Sequence, residues 1–265
     1  PSYVRALLPR LARRAGLAAP VNASALRRAR AGALLAEHRS ARAIQAELGH
    51  ATLAGTRRYL RGLRGGAAAL RAEERLAAAV AALGEAARGD AAPGVIFSMI
   101  AREAARLTGA EVAVVKRFEP EGTARGVGAW ADARAPRIEE LAARHGTVPL
   151  DTDGAIARVH REGRPVRADD LGVLRDESAQ AMARLGFRSV LAAPVSAGSR
   201  AWGAVAVATT RPGPLPPGIE THLAAFVERL GPVVVRLSGR LTESPGYTRA
   251  RVRSPGPGPA ARGVS

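Results

Sequence analysis

Cysteine is absent from this chain of 265 residues. With it go disulfides, thiolate metal sites, cysteine nucleophiles and thioether-linked cofactors. Aromatic residues make up only 3%, which argues against the ring platforms on which single-stranded nucleic acids stack. No apolar run approaches the ~18 residues that a membrane span requires, and no signal-peptide pattern is present. The chain, which begins at Pro1, therefore reads as a cytoplasmic fragment of a longer product. Lysine is nearly missing as well: of 40 basic residues, Lys116 alone is not arginine. Together with abundant alanine, glycine and proline, this suggests a GC-rich coding bias.

What is present is charge of one sign, +17 in all. A bias towards arginine over lysine does not by itself create net charge, so its distribution matters. Residues 1–64 carry 13 basic and 2 acidic side chains, a net of +11. Residues 65–240 carry 23 against 20, and residues 241–265 carry 4 against 1. The positive field belongs to the first quarter. The break coincides with Gly65 and Gly66, which places a domain over 1–64, a linker over 65–72, a second domain over 73–240 and a disordered Pro, Gly, Ser and Arg tail over 241–265.

The first domain reads as helical throughout. Val4, Leu7, Leu8 and Leu11 lie at helical spacing, and Asn22 or Ser24 can cap a helix carrying Leu26, Ala29 and Leu34. Ser40 caps a short helix that Gly49 closes, and a last helix runs from about Thr52 through Tyr59 to Leu63. After Gly66 the periods change. A long alanine-rich helix carries Leu76, Val80 and Leu83, and a second carries Ile96, Met99, Ile100, Ala104 and Leu107 and stops at Gly109. Val112, Val114 and Phe118 alternate as in a strand, and the turn Glu119 to Gly122 leads to a second strand ending at Trp130.

Helices near Ala155 to Glu162 and Ala179 to Leu185 follow, with strands near Pro165 to Arg167, Val190 to Val195 and Trp202 to Ala208. Pro194 is expected to end the pairing of its strand. Pro216-Pro217 opens a terminal helix with Leu223, Phe226, Val227 and Leu230, which Gly231-Pro232 should kink or end. The whole is an α+β fold: an all-α N-terminal segment, then an antiparallel sheet covered by helices. The stripes of Leu76, Val80 and Leu83 and of Leu223 to Leu230 suggest a homodimer built on flanking helices.

In the basic segment Arg27 is followed by Leu48-Gly49-His50 and, nine residues later, by Tyr59. This order resembles the C-terminal end of a tyrosine recombinase (phage integrase) catalytic domain. The resemblance implies Arg27 as a forked phosphate donor, His50 as a charge stabiliser and Tyr59 as the nucleophile. The family's pattern is incomplete here. Ser24 stands where it has a histidine, Arg28 replaces another frequent histidine, and the first arginine and the strand-borne lysine have no counterpart. Each missing donor costs roughly 10² to 10³ in rate, so the set reads as vestigial and the chain as no enzyme. Arg27, Arg28, Arg57 and Arg58 are the expected contacts for weak, sequence-independent DNA binding.

From about Glu73 to Gly239 the sequence is similar to a GAF domain, a small-molecule sensory module of bacterial signalling proteins. The similarity rests on Ala105 to Ala110, Val127-Gly128-Ala129-Trp130, Gly163-Arg164-Pro165-Val166 with Asp169-Asp170, Leu185 to Ser189 with Ala193-Pro194-Val195, Trp202-Gly203, and Thr209 to Pro212. It implies a GAF-like sheet with a pocket for an unidentified small molecule between one face and the connecting segments. Covalent bilin attachment is excluded by the lack of cysteine, and the Asn-Lys-Phe-Asp-Glu pattern of cyclic-nucleotide-binding members is absent. His145 and His160 are the only haem-ligand candidates in the middle of the domain, and both read as solvated beside Arg144 and Arg161. No cofactor and no metal site is expected. Asp153 reads as an N-cap, and Asp151, Asp169 and Asp170 as boundary or solvated residues.

The leading expectation is a non-catalytic GAF sensory domain behind an inactive recombinase tail. The alternatives are a DNA-binding recombinase with the GAF domain as passenger, and the input domain of a sensor histidine kinase that has lost its output.

Overall fold

The structure is a computed structural model that describes residues 2–16, 21–37, 39–133, 135 and 146–241. Beyond Leu241 the expected tail lies outside these residues. The chain divides into two compact units, Pro1–Ala78 and Ala79–Ser265.

The first unit contains α1 (Ser2–Arg14), α2 (Ala23–Ala36), α3 (Ala41–Leu48), α4 (Leu53–Arg61) and the first turns of α5 (Gly66–Arg88). Three helices start where a side-chain oxygen takes an otherwise unpaired backbone N–H. Asn22 accepts from Ala25 N at 2.8 Å, Ser40 from Ala43 N at 3.2 Å and Thr52 from Gly55 N at 3.0 Å. Ala31, Leu34, Ala41, Ile44, Leu60 and Leu70 form the core of this unit.

Residues 66–72, expected as a linker, are helix, and the boundary between units falls inside α5 rather than at the glycine pair. The reason is packing. Gly66 sits so close to the end of α4 that a Cβ on it would stand 1.8 Å from the Leu60 carbonyl oxygen, so glycine lets the helix start against its neighbour. Leu70, one turn on, is buried in the first core.

In the second unit, the end of α5 and α6 (Pro93–Thr108) precede six strands: β1 (Val112–Glu119), β2 (Thr123–Ala131), β3 (Thr147–Pro149), β4 (Val166–Ala168), β5 (Ser189–Ala197) and β6 (Arg200–Thr209). Helix α7 (Ala155–Glu162) lies between β3 and β4. A 3₁₀ turn (Leu171–Val173) and α8 (Glu177–Arg184) lie between β4 and β5, and α9 (Ile219–Glu228) and α10 (Gly231–Leu241) close the described chain. The strands pair antiparallel in the order β3-β2-β1-β6-β5-β4.

Period-two alternation divides the sheet into two faces. Ala113, Val115, Leu191, Ala193, Val205 and Val207 are buried on one, the face over which α6, α9 and α10 pack. Val112, Val190, Ala192, Ala204, Ala206 and Ala208 share the other with Val159 of α7, Leu171 and Ala179 of α8. The four-residue turn after Glu119 makes β1 and β2 a hairpin, as expected.

Three expectations are corrected. Pro194 does not end its strand: it pairs with Ala204 and β5 runs on to Ala197. It is tolerated because β4 opposes only Val190 to Ala192, so Pro194 lies past that neighbour, at an open edge. Asp153 does not cap α7. Gly154 is the N-cap, and Asp153 pairs with Arg161 at 3.0 Å. The stripe Leu223, Phe226, Val227 and Leu230 offers no face to a second copy, because all four are at most 3% exposed within the chain's own fold. The break expected at Gly231-Pro232 is where α9 gives way to α10. Among the described residues no helix is long and apolar enough to cross a membrane.

Candidate functional site

The hydrogen-bond pattern that pairs β1 with β2 contains one extra residue. Val115 opposes Gly128 and Lys116 opposes Gly126, which leaves Val127 as a bulge. Bulges bend a strand and re-aim what lies beside it. Here the two glycines and Lys116 border a cavity of about 310 Å³ between the sheet and the segments that carry β3, α7, the 3₁₀ turn and α8.

The cavity wall is mostly aliphatic, with Val112, Val114, Val148, Ile156, Leu174 and Met182 among its residues. Its polar groups are few, as in ligand sites that use a handful of polar contacts to orient an apolar molecule. Thr147, Thr152, Ser178, Asp176 and Glu177 are polar residues of the lining. Asp176 is held by capping α8, accepting from Ala179 N at 2.9 Å.

Among the described residues, Lys116 is the cationic member of the lining. It occupies the same face of β1 as Val112 and Val114, is only 7% exposed, and donates from Nζ to the Gly146 carbonyl oxygen at 3.3 Å. Burial disfavours the charged form and pushes the ammonium down to about 8 from the ordinary lysine value. Sequence reasoning singled out Lys116 as the only lysine but not as a site residue. The available signal was its register, a lysine in the alternation Val112, Val114, Lys116, Phe118 where a core residue belongs.

The histidines and aspartates considered from sequence lie elsewhere. His160 is exposed on α7 with its ring edge-on to Phe118 at 4.7 Å, outside the cavity lining. His145 and Arg144 lie outside the described residues. Asp169 binds Arg167 at 2.8 Å and accepts from Leu215 N at 2.8 Å, while Arg167 also pairs with Glu220 at 2.6 Å. That network ties β4 to α9. Asp170 caps the 3₁₀ turn, accepting from Gly172 N at 2.8 Å, and Asp151 is exposed. Among the described residues no three His, Asp or Glu side chains are grouped so as to hold a metal ion.

In the first unit the structure brings His50 and Tyr59 together. Their rings meet edge-on at 5.4 Å, and Tyr59 packs half-buried against the unit's core. The Thr56 hydroxyl donates to the Thr52 carbonyl at 3.1 Å and so accepts from His50 Nδ1 at 2.9 Å. Arg27 and Arg28 stand exposed on α2 and Arg58 exposed on α4. Among the described residues, no hydrogen bond, ion pair or ring contact joins Arg27 to His50 or Tyr59. Arg57 pairs with Glu74 at 3.9 Å.

A family model described as GAF domain matches residues 93–233. No curated protein matches the chain. Among solved structures, the fold is similar to the phycocyanobilin-bound GAF domain from a cyanobacterial phytochrome. The TM-score is 0.50 at 12% identity, covering 62% of this chain and 96% of that one. A phycoerythrobilin-bound GAF domain from a cyanobacterial phytochrome gives 0.51 at 11% identity, covering 63% and 97%. The GAF domain from an Acinetobacter phosphoenolpyruvate-protein phosphotransferase gives 0.47 at 12% identity, covering 63% and 98%. At such identities the likeness is one of fold. Residues 1–92 lie outside the family match.

Proposed function

The chain belongs to the GAF domain family of sensory, ligand-binding modules, and from that premise we propose that it is a non-catalytic small-molecule sensor whose ligand occupies the cavity beside Lys116. The observation that carries this reading is the cavity itself: about 310 Å³, walled by aliphatic side chains, with few polar groups. A concave, mostly apolar pocket with a few polar groups is the usual make-up of a small-molecule site. The volume suits a compact apolar ligand.

The test uses anilinonaphthalene sulfonate, whose emission rises in apolar surroundings. The native chain is expected to bind one dye per molecule. Ala155→Trp places an indole at the cavity wall from α7, where Ala155 is only partly buried. It is expected to weaken dye binding by roughly tenfold or more, about 1.4 kcal/mol, while cooperative unfolding is retained. Equal dye affinity in the two proteins rejects the cavity as the site.

The first unit supports a separate reading as a weak DNA-binding segment with a vestigial recombinase-like set, Arg27, His50 and Tyr59. Its support is the +11 charge of residues 1–64 and the exposure of Arg27, Arg28 and Arg58. Affinity of the full chain for random-sequence duplex should fall roughly fortyfold between about 50 and 200 mM salt if those three guanidiniums each neutralise one phosphate. Changing all three to glutamine should flatten the salt slope by about three. A slope unchanged by the triple substitution, or a covalent Tyr59 adduct on a nicked duplex, overturns this reading.

A further inference from the structure

The chain uses arginine at 39 of its 40 basic positions, and the one side-chain amine it carries belongs to Lys116, which lines the cavity. The two side chains differ chemically. A guanidinium stays protonated in proteins and offers no lone pair, whereas an amine that loses its proton is a nucleophile towards carbonyl carbon. For Lys116, burial favours the second behaviour. It is 7% exposed on a central strand, and burial holds its ammonium down to about 8. Its cross-strand partner Gly126 has no side chain, and Gly126 borders the same cavity. Gly146 O, 3.3 Å from Nζ, fixes where the amine sits. The aliphatic wall supplies room for an apolar body attached to the reacting group.

We propose that Lys116 captures an apolar aldehyde in this cavity as a reversible imine. The inference rests on reading the cavity as the ligand site and adds the class of ligand. The step balances without an oxidant or reductant. The Nζ lone pair forms a bond to the carbonyl carbon, the carbonyl oxygen takes up a proton, and the nitrogen loses one. The carbinolamine hydroxyl then takes up a proton and leaves as water while the nitrogen lone pair forms the second C–N bond. Loss of the remaining N–H proton gives the neutral C=N. Hydrolysis runs the same steps backwards and releases the ligand, as a sensor requires.

The full chain is incubated with cinnamaldehyde and sodium cyanoborohydride near about pH 7.5, with excess acetyl-lysine amide as an internal competitor of ordinary basicity. Adducts are located by peptide mapping. Lys116 should be labelled at least roughly tenfold faster than the competitor, because a far larger fraction of its amine is neutral. Lys116→Arg should remove the adduct. Labelling no faster than the competitor, or no faster than in the denatured chain, overturns the proposal.

A second arm separates this failure from failure of the ligand site. Cinnamyl alcohol has the same skeleton without the carbonyl. If it displaces the naphthalene dye while the aldehyde gives no preferential adduct, the cavity binds ligands and the imine is wrong. If neither dye nor alcohol binds, the site itself is wrong and the imine falls with it.

Discussion

Gly128→Ala is expected to destabilise the second unit by about 3 kcal/mol or more, although alanine lowers the entropy of the unfolded chain. A Cβ at that position would stand 2.3 Å from the backbone carbon of Phe97 and 2.6 Å from its oxygen. Those are backbone atoms of α6, so no rotamer change relieves the clash and the helix must lift from β2. The gain from a stiffer unfolded chain is only about 0.4–1 kcal/mol, so the steric term wins.

The consequence reaches the site, since Gly128 lines the cavity and Phe97 stacks on Trp202 at 5.3 Å. Gly84→Ala is the comparison. In α5 nothing lies within 4 Å of a new Cβ, and the substitution should stabilise by about 0.5–1 kcal/mol. Urea midpoints at constant slope measure both changes. A Gly128→Ala midpoint equal to the parent would mean that β2 and α6 do not approach so closely.

Much of the fold was legible because several local signals agreed at the same places. Asn22, Ser40 and Thr52 cap helices whose apolar spacing already announced them, and Gly49 ends α3 with φ +64°. The β1–β2 hairpin was legible from alternation plus the turn Glu119 to Gly122. Short elements were not. β3 has three residues, paired with β2, too few for a period to show.

What covers an apolar stripe was also illegible. The spacing of Leu223, Phe226, Val227 and Leu230 says that one side of α9 is apolar, but not whether its own sheet or a second copy lies against it. At Gly66 composition suggested a break where tertiary packing required a small residue at a helix start.

The candidate site was half legible for a related reason. Alternation along β1 separates two faces and puts Lys116 with Val112 and Val114, yet it does not say which face is filled by helices and which encloses a cavity. That depends on α7, α8 and the 3₁₀ turn, which lie at least 35 positions further along the chain. The recombinase-like order illustrates the opposite case. Its spacing does bring His50 and Tyr59 into ring contact. Arg27, however, stands exposed on α2, and no interaction among the described residues joins it to them.

Lys116→Met is expected to stabilise the protein at neutral pH, by up to about 3 kcal/mol, and to lose that advantage as the solution becomes alkaline. Folding buries the amine, and burial lowers its value from 10.5 to about 8. Below about pH 8 the amine is protonated in both folded and unfolded chains, so the native state carries the whole cost of a desolvated charge. Between about 8 and 10.5 the unfolded chain binds more protons than the folded one, and stability therefore rises with pH. Above 10.5 both states are neutral and the cost is gone.

Methionine has no such dependence, so the difference between the two proteins should shrink across that window. Groups common to both, including tyrosines, cancel in the subtraction. The lost hydrogen bond to Gly146 offsets part of the gain at every pH and leaves the slope unaltered. Paired chemical denaturation at several pH values reads the slope directly. A difference that stays constant from pH 7 to above 10.5 would show that Lys116 is as well solvated folded as unfolded. It would also remove the near-neutral amine on which selective aldehyde capture depends.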